Sequence, residues 1–391
     1  MRCNIVYKED YPWDVRVEKL AKALSENGYD VTITCQNKKQ NKQNEVIDNI
    51  FVSRLPRTHF LPPFMQRLVN FPVWFNPIWI YSIYKNSRNL KGGIIIVRDL
   101  PLVYSGVIVA KLVKAKLIFD MAECYPEMYA SSQKFSKPSF LEGLIKNPKL
   151  AARYEKSSLR NVDQTLVMIE ESKVRATKIG APADRITIVS NTPFLNKFQG
   201  ILHHHSGTRL KIVYVGFLTK LRGLDILIRA VSEFIKNGHS SDDIQVDIVG
   251  TGGEKNNLIE LCEQLNVTSS VRIHGWLDQS DVDRLMQESN VGALTYRVCG
   301  HWNNTIPNKI FDYMLAGIPV LATPVIPIER IINETGCGII CIDQDPFDIA
   351  LKLAQLRDSN VREDLGKKGY QAILEKYNWQ KDIERLIKAV Q

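Results

Sequence analysis

Short runs of β-branched and aliphatic residues alternate along the chain with longer stretches in which apolar residues return every three to four positions. That alternation predicts α/β domains built on parallel sheets. Residues 4–7 read as the first strand. Val17, Leu20, Ala21 and Leu24 then fall at i, i+3, i+4 and i+7, one face of a helix, and Gly28 offers the left-handed residue that ends it before a strand at 31–34. Further strands are predicted at 94–97, 117–119, 165–168 and 186–189, which together make one doubly wound domain.

After Asn191-Thr192-Pro193 the pattern lapses into a polar stretch at 197–208 containing His203-His204-His205, and restarts with an apolar strand at 210–215. This is the expected domain boundary, with residues 1–195 on one side and 196–377 on the other. The triple histidine reads as a solvated linker, because three consecutive residues of regular structure cannot all face one metal. The second half repeats the alternation, with strands at 246–249, 271–274, 291–294, 319–322 and 338–342. Two such domains facing each other make a cleft lined by the carboxyl ends of both sheets, where ligands of open α/β sheets bind.

Composition removes several alternatives. The 391 residues are 45% hydrophobic and 24% charged, an ordinary globular balance. Seven scattered cysteines, without CxxC or Cys/His spacing, argue against a disulfide framework or a zinc site and fit a reducing cytoplasm. The opening residues lack the apolar core of a secretory leader. The most apolar stretch, 71–84, is interrupted by Asn76-Pro77 and falls short of the roughly 20 residues that span a bilayer.

Charge sharpens the picture. Residues 1–200 hold 30 Lys and Arg against 18 Asp and Glu, a net +12, which leaves −3 of the total of +9 for the remainder. No acidic residue lies between Asp48 and Asp99, whereas Arg54, Arg57, Arg67, Lys85, Arg88, Lys91 and Arg98 stand among Phe51, Phe60, Phe64, Phe71, Trp74, Phe75, Trp79, Tyr81 and Tyr84. Basic residues interleaved with aromatic ones suit an anionic membrane surface; aromatics buried in a helical hairpin of the core are the other reading. No nucleic-acid-binding motif accompanies the charge, so no polynucleotide partner is expected.

Three segments of the second half carry candidate chemistry. The strand ending at Gly216 leads through Arg222-Gly223 into a helix with Leu224, Leu227, Ile228 and Ala230, a loop able to cradle phosphate with Arg222 supplying charge. Gly250 and Gly252 lie in a second glycine loop, which allows close approach by a ligand or simply makes a tight strand-to-helix turn. The dinucleotide fingerprint GxGxxG is absent from the first strand-helix turn, where Tyr7-Lys8-Glu9-Asp10 stands, and this disfavours a Rossmann dehydrogenase. The third segment is the most specific, running from Asn303-Asn304 through Pro307-Asn308-Lys309 and Asp312 to Gly317-Ile318-Pro319-Val320.

With its proline at a helix start, a carboxylate one turn in, and Gly-x-Pro-Val entering a strand, that third segment resembles the donor-binding segment of retaining glycosyltransferases of family 4. The resemblance covers essentially the whole second domain, including Arg272 to Trp276 and Tyr377-Asn378-Trp379. It implies the GT-B fold, two Rossmann-like doubly wound domains facing across a cleft, with 1–195 binding the acceptor, 196–377 binding a nucleotide-sugar donor, and the C-terminal helix, 378–391, packing back onto the first domain. Where the family carries two glutamates, this chain has Asn304 and Asp312. A carboxylate at Asp312 accepts ribose hydroxyls, an amide at Asn304 hydrogen-bonds a sugar, and Lys309 partners the donor diphosphate. Trp276 stands where the family meets the nucleobase through backbone, its indole read as a core side chain. Cys299 and His301 lack a third oriented group and are left outside the catalytic set.

In the first domain the resemblance rests on Asp14-x-Arg16-Val17, Arg98-Asp99-Leu100-Pro101 and Asp120-Met121-Ala122-Glu123. Ala122 replaces the histidine of many family members, which leaves Glu123 as the polar group at that strand end. The expected catalytic set is Glu123, Arg222 and Lys309, and Arg16, Arg98, Asp99 and Tyr125 are assigned to the acceptor. The implied reaction moves a hexosyl-type sugar from a nucleotide diphosphate to an acceptor hydroxyl with retention, with no cofactor or metal, since no DxD-type acidic cluster lies near these loops. A lipid-linked saccharide at the inner membrane face is the expected acceptor, in surface polysaccharide or lipopolysaccharide synthesis. A silent scaffold subunit and a nucleotide-sugar 2-epimerase are the alternatives.

Overall fold

In the computed structural model the described residues are 1–391 except 13, 58–61, 63–64, 67–74, 90, 135–142, 144 and 199–206. The triple histidine and four of the aromatic residues named above (Phe60, Phe64, Phe71 and Trp74) lie outside them. The chain divides into two units, one comprising residues 1–129, 138–191 and 382–391, the other residues 130–137 and 192–381.

The first unit is built on an eight-stranded sheet: β1 (Arg2–Asp10), β2 (Asp30–Gln36), β3 (Asn44–Ile47), β4 (Ile50–Arg54), β5 (Ile94–Arg98), β6 (Lys116–Met121), β7 (Gln164–Val167) and β8 (Ile186–Ile188). Their order is β3-β4-β2-β1-β5-β6-β7-β8, and every pair is parallel except β3 with β4. Ile94, Ile95, Ile96 and Val97 of β5 are all at most 1% exposed, as a central parallel strand covered on both faces requires. Periodicity missed the β3–β4 hairpin because β3 is a half-exposed edge strand of four residues. Asp48 and Asn49 turn it, with φ of 49° and 64°, the two left-handed positions of a tight hairpin turn.

The helix Val15–Glu26 buries Val17, Leu20, Ala21 and Leu24, and the Asp14 carboxylate caps it by accepting from the Val17 amide at 2.8 Å. In the helix Pro77–Ser87 the aromatic stretch splits by face. Trp79 and Ile83 enter the core with Val97, Val103 and Phe119, whereas Tyr81 is 65% exposed. The first unit also takes the end of the last helix, Trp379–Val390: Asp382 accepts from the Ser190 amide at 3.1 Å, and Lys116 donates to the Ala389 carbonyl at 2.9 Å.

The second unit holds six parallel strands, β9 (Leu210–Val215), β10 (Ile244–Val249), β11 (Val271–Gly275), β12 (Val291–Leu294), β13 (Val320–Ala322) and β14 (Gly338–Ile340). Their order, β11-β10-β9-β12-β13-β14, is that of a dinucleotide-binding sheet. The chain starts at the centre, winds to one edge, returns and winds to the other. The reversal opens a crevice beyond the carboxyl ends of β9 and β12, and β1 and β5 make the equivalent reversal in the first unit.

Candidate active site

In the second unit the loops after β9 and β12 meet at this reversal. Gly223 (φ 64°) is required there, because a Cβ on it would lie 1.9 Å from the Thr295 carbonyl oxygen. The approach is tied by the Arg297 amide donating to Leu221 O at 3.1 Å and by the Trp302 indole donating to the same carbonyl at 3.2 Å. Arg222 therefore emerges against two rings, its guanidinium carbon 4.6 Å from the Tyr296 ring centroid and 4.4 Å from that of Trp302, and it also donates to the Tyr296 hydroxyl. This fixes the plane of the guanidinium before any ligand arrives. Neighbouring His301 is buried, and desolvation together with the Arg222 charge holds its pKa down to about 4, so the ring is neutral near pH 7.

The glycine loop after β10 has a different reason from ligand approach. A Cβ on Gly250 (φ 140°) would lie 1.8 Å from Gly216 O, and one on Gly252 would lie 2.2 Å from Leu218 O. Both glycines let two backbone loops pack together, with Leu218 N donating to Thr251 O at 2.9 Å. Trp276 also departs from expectation. Its indole is 79% exposed, because Gly275 (φ 79°) turns the chain out of β11 and carries the side chain clear of the core.

In the specific segment, Pro307 is buried and Asn308 is the exposed cap of the short helix Lys309–Leu315. Asn304 donates to the Gly300 carbonyl at 2.7 Å. Asp312 is buried, with Lys309 Nζ 2.8 Å from Oδ2 and Lys197 Nζ 2.8 Å from Oδ1. Burial alone would raise this carboxyl, but Lys309 and Lys197 outweigh it and bring its pKa to about 2, so the group is ionised throughout the neutral range. Sequence reasoning missed Lys197, Tyr296 and Trp302. Nothing marks a single lysine in a polar linker, and the two rings acquire meaning only once the β9 and β12 loops meet.

In the first unit a buried ionic network occupies the reversal between β1 and β5. Arg98 lies 2.8 Å from Asp99, 3.4 Å from Asp14 and 3.8 Å from Asp120. Asp99 has φ 71° and ψ 158°, a region nearly reserved for glycine, and its carboxyl is raised by burial against the pull of Arg98. Tyr125 is buried edge-on to Tyr129 at 5.7 Å, and the Glu123 charge is felt at both Arg98 and Tyr125. Arg16, expected to meet the acceptor, is instead 2% exposed: Nε lies 2.9 Å from Asp120, and Nη1 reaches the Val189 and Ser190 carbonyls at 2.9 and 3.2 Å. It holds the sheet ends together. Among the described residues no three His, Cys, Asp or Glu side chains gather as a metal site needs.

Two doubly wound units, each with charged groups at its topological reversal, make up the GT-B fold. Residues 203–372 match the model of the family described as "Glycosyl transferases group 1". The chain is 27% identical over 171 residues to the uncharacterized glycosyltransferase MJ1607 of Methanocaldococcus jannaschii, a match covering 43% of this chain and 41% of that protein. It is 24% identical over 191 residues to the putative colanic acid biosynthesis glycosyltransferase WcaL of Escherichia coli K12, covering 48% and 46%. The match thus spans less than half the length of these relatives. Anabaena HepE, solved in complex with UDP, superposes with a TM-score of 0.72 over 99% of both chains at 13% identity.

Proposed function

We propose that this chain transfers a sugar from a nucleotide-diphosphate donor to an acceptor hydroxyl, with retention of configuration and without a divalent metal. The observation that carries the reading is Arg222, oriented by Tyr296 and Trp302 at the reversal of the donor-domain sheet. Charge develops on the diphosphate as the sugar departs, and Arg222 with Lys309 stabilises it without reorganising. In the first unit Arg98, Asp99, Glu123 and Tyr125 are the groups offered to the acceptor. A thermal-shift screen against UDP-, GDP-, dTDP- and ADP-sugars tests the donor half. One nucleotide at a hundred times its dissociation constant should stabilise by about 2.7 kcal/mol, and silence across the panel would favour a scaffold role.

The acceptor is proposed to be a lipid-linked saccharide at the inner face of the cell membrane, in surface polysaccharide synthesis. Phe75 and Tyr84 are 62% and 42% exposed, and with Tyr81, Lys85 and Arg88, all exposed, they lie in the stretch free of acidic residues. Among the described residues no helix is long and apolar enough to cross a membrane. The protein should float with vesicles containing anionic phosphatidylglycerol at low salt and be released as salt rises. Absence from the vesicle fraction at low salt would remove the membrane from the proposal.

A further inference from the structure

Asp312 is neutralised by Lys309, three residues earlier and on the same short helix. A second ammonium nevertheless reaches it from outside the helix: Lys197, in the turn Leu195–Phe198, brings Nζ to the other carboxylate oxygen. The second cation adds to the pull that keeps Asp312 ionised, and it brings with it ammonium–ammonium repulsion and the ordering of a long side chain. The three side chains together carry one net positive charge. They are also layered: the Asp312 side chain is 12% exposed, and each lysine side chain is 26% exposed. The carboxylate belongs to the more buried side chain, and one ammonium group meets each of its two oxygens. Such an arrangement suits an anion with oxygens on more than one phosphorus, because each ammonium can meet a different phosphoryl group while Asp312 keeps both in place.

We propose that Lys197 is a further cation for the donor diphosphate, beside Arg222 and Lys309, and that Asp312 is a positioning residue for Lys197 and Lys309 together. The proposal rests on the donor reading above and adds to it a residue from the connecting segment. Lys197 then senses diphosphate, and has no part in recognising the nucleoside.

The test compares wild type with Lys197→Gln and Lys197→Arg, by calorimetric titration of UDP, GDP, dTDP and ADP and of the matching nucleosides. Glutamine still donates to Asp312 but carries no charge. It should weaken the bound diphosphate about tenfold and leave the nucleoside within about twofold, with a shallower salt dependence. Arginine keeps the charge and should stay within about threefold of wild type for the diphosphate. If wild type binds a diphosphate and Lys197→Gln binds it equally well, the role of Lys197 is overturned while the donor reading stands. Equal weakening of nucleoside and diphosphate, or a loss in Lys197→Arg as large as in Lys197→Gln, shows a merely structural lysine and also overturns it. If wild type binds none of the four diphosphates, the donor reading itself falls and takes this proposal with it.

Discussion

Replacing Arg222 with alanine is expected to lower the rate of sugar transfer by about two to three orders of magnitude, the loss typical when one preoriented donor to a developing anion is removed. The size of the effect comes from how the side chain is held. Its guanidinium lies against Tyr296 and Trp302 and is bonded to the Tyr296 hydroxyl, so its orientation is settled before the reaction begins. Lysine in its place should recover little, because an ammonium cannot use the same planar stacking or present a fork to the phosphates. Turnover should be measured with the nucleotide sugar that the thermal screen selects, alongside the melting midpoint of each variant. Near-normal turnover of a folded Arg222→Ala protein would remove Arg222 from the chemistry, and with it the observation on which the functional reading stands.

Arg16→Ala should have the largest effect on stability, about 3 kcal/mol. Asp120 is fully buried, and Arg16 is its nearest cation; deleting one partner of a buried pair leaves an uncompensated charge in place. Arg98, 3.8 Å from the same carboxylate, compensates in part, which holds the expected loss near the lower end of the usual range of about 3–5 kcal/mol. Two carbonyls at the end of β8 and just beyond also lose their donor. For a unit of this size the loss corresponds to a fall of about 6–12 °C in the midpoint of its transition, read by calorimetry because two units can melt separately. A shift of less than about 2 °C would mean that Arg16 is not the keystone its geometry describes.

Part of the site could be read from residue order alone. Arg222 beside a glycine after an apolar strand, and Lys309 and Asp312 one turn apart, are local relations that a one-dimensional pattern carries. Trp276 shows where such reading fails. An indole after a strand reads as core, but Gly275 at φ 79° turns it outward to 79% exposure. Gly250 and Gly252 read either as open to a ligand or as a tight turn, and the oxygens that exclude a side chain there belong to Gly216 and Leu218, more than thirty residues earlier in the chain. Arg16 likewise reads as an acceptor residue, but its partner Asp120 is 104 residues away.

By itself the sequence determined the alternation of strands and helices and the parallel α/β class. Both follow from periodicity and short-range spacing, which the chain states directly. Only the tertiary structure decided which charges are paired and which surfaces are open. Pairing depends on strands brought together in an order that differs from their order in the chain, as β9 beside β12 and β1 beside β5. The clamp of Tyr296 and Trp302 on Arg222 and the buried pair Arg16–Asp120 are consequences of that ordering, and the reach of Lys197 to Asp312 likewise spans 115 residues of chain. The strength of an electrostatic interaction depends on separation in space, and distance along the chain does not supply it.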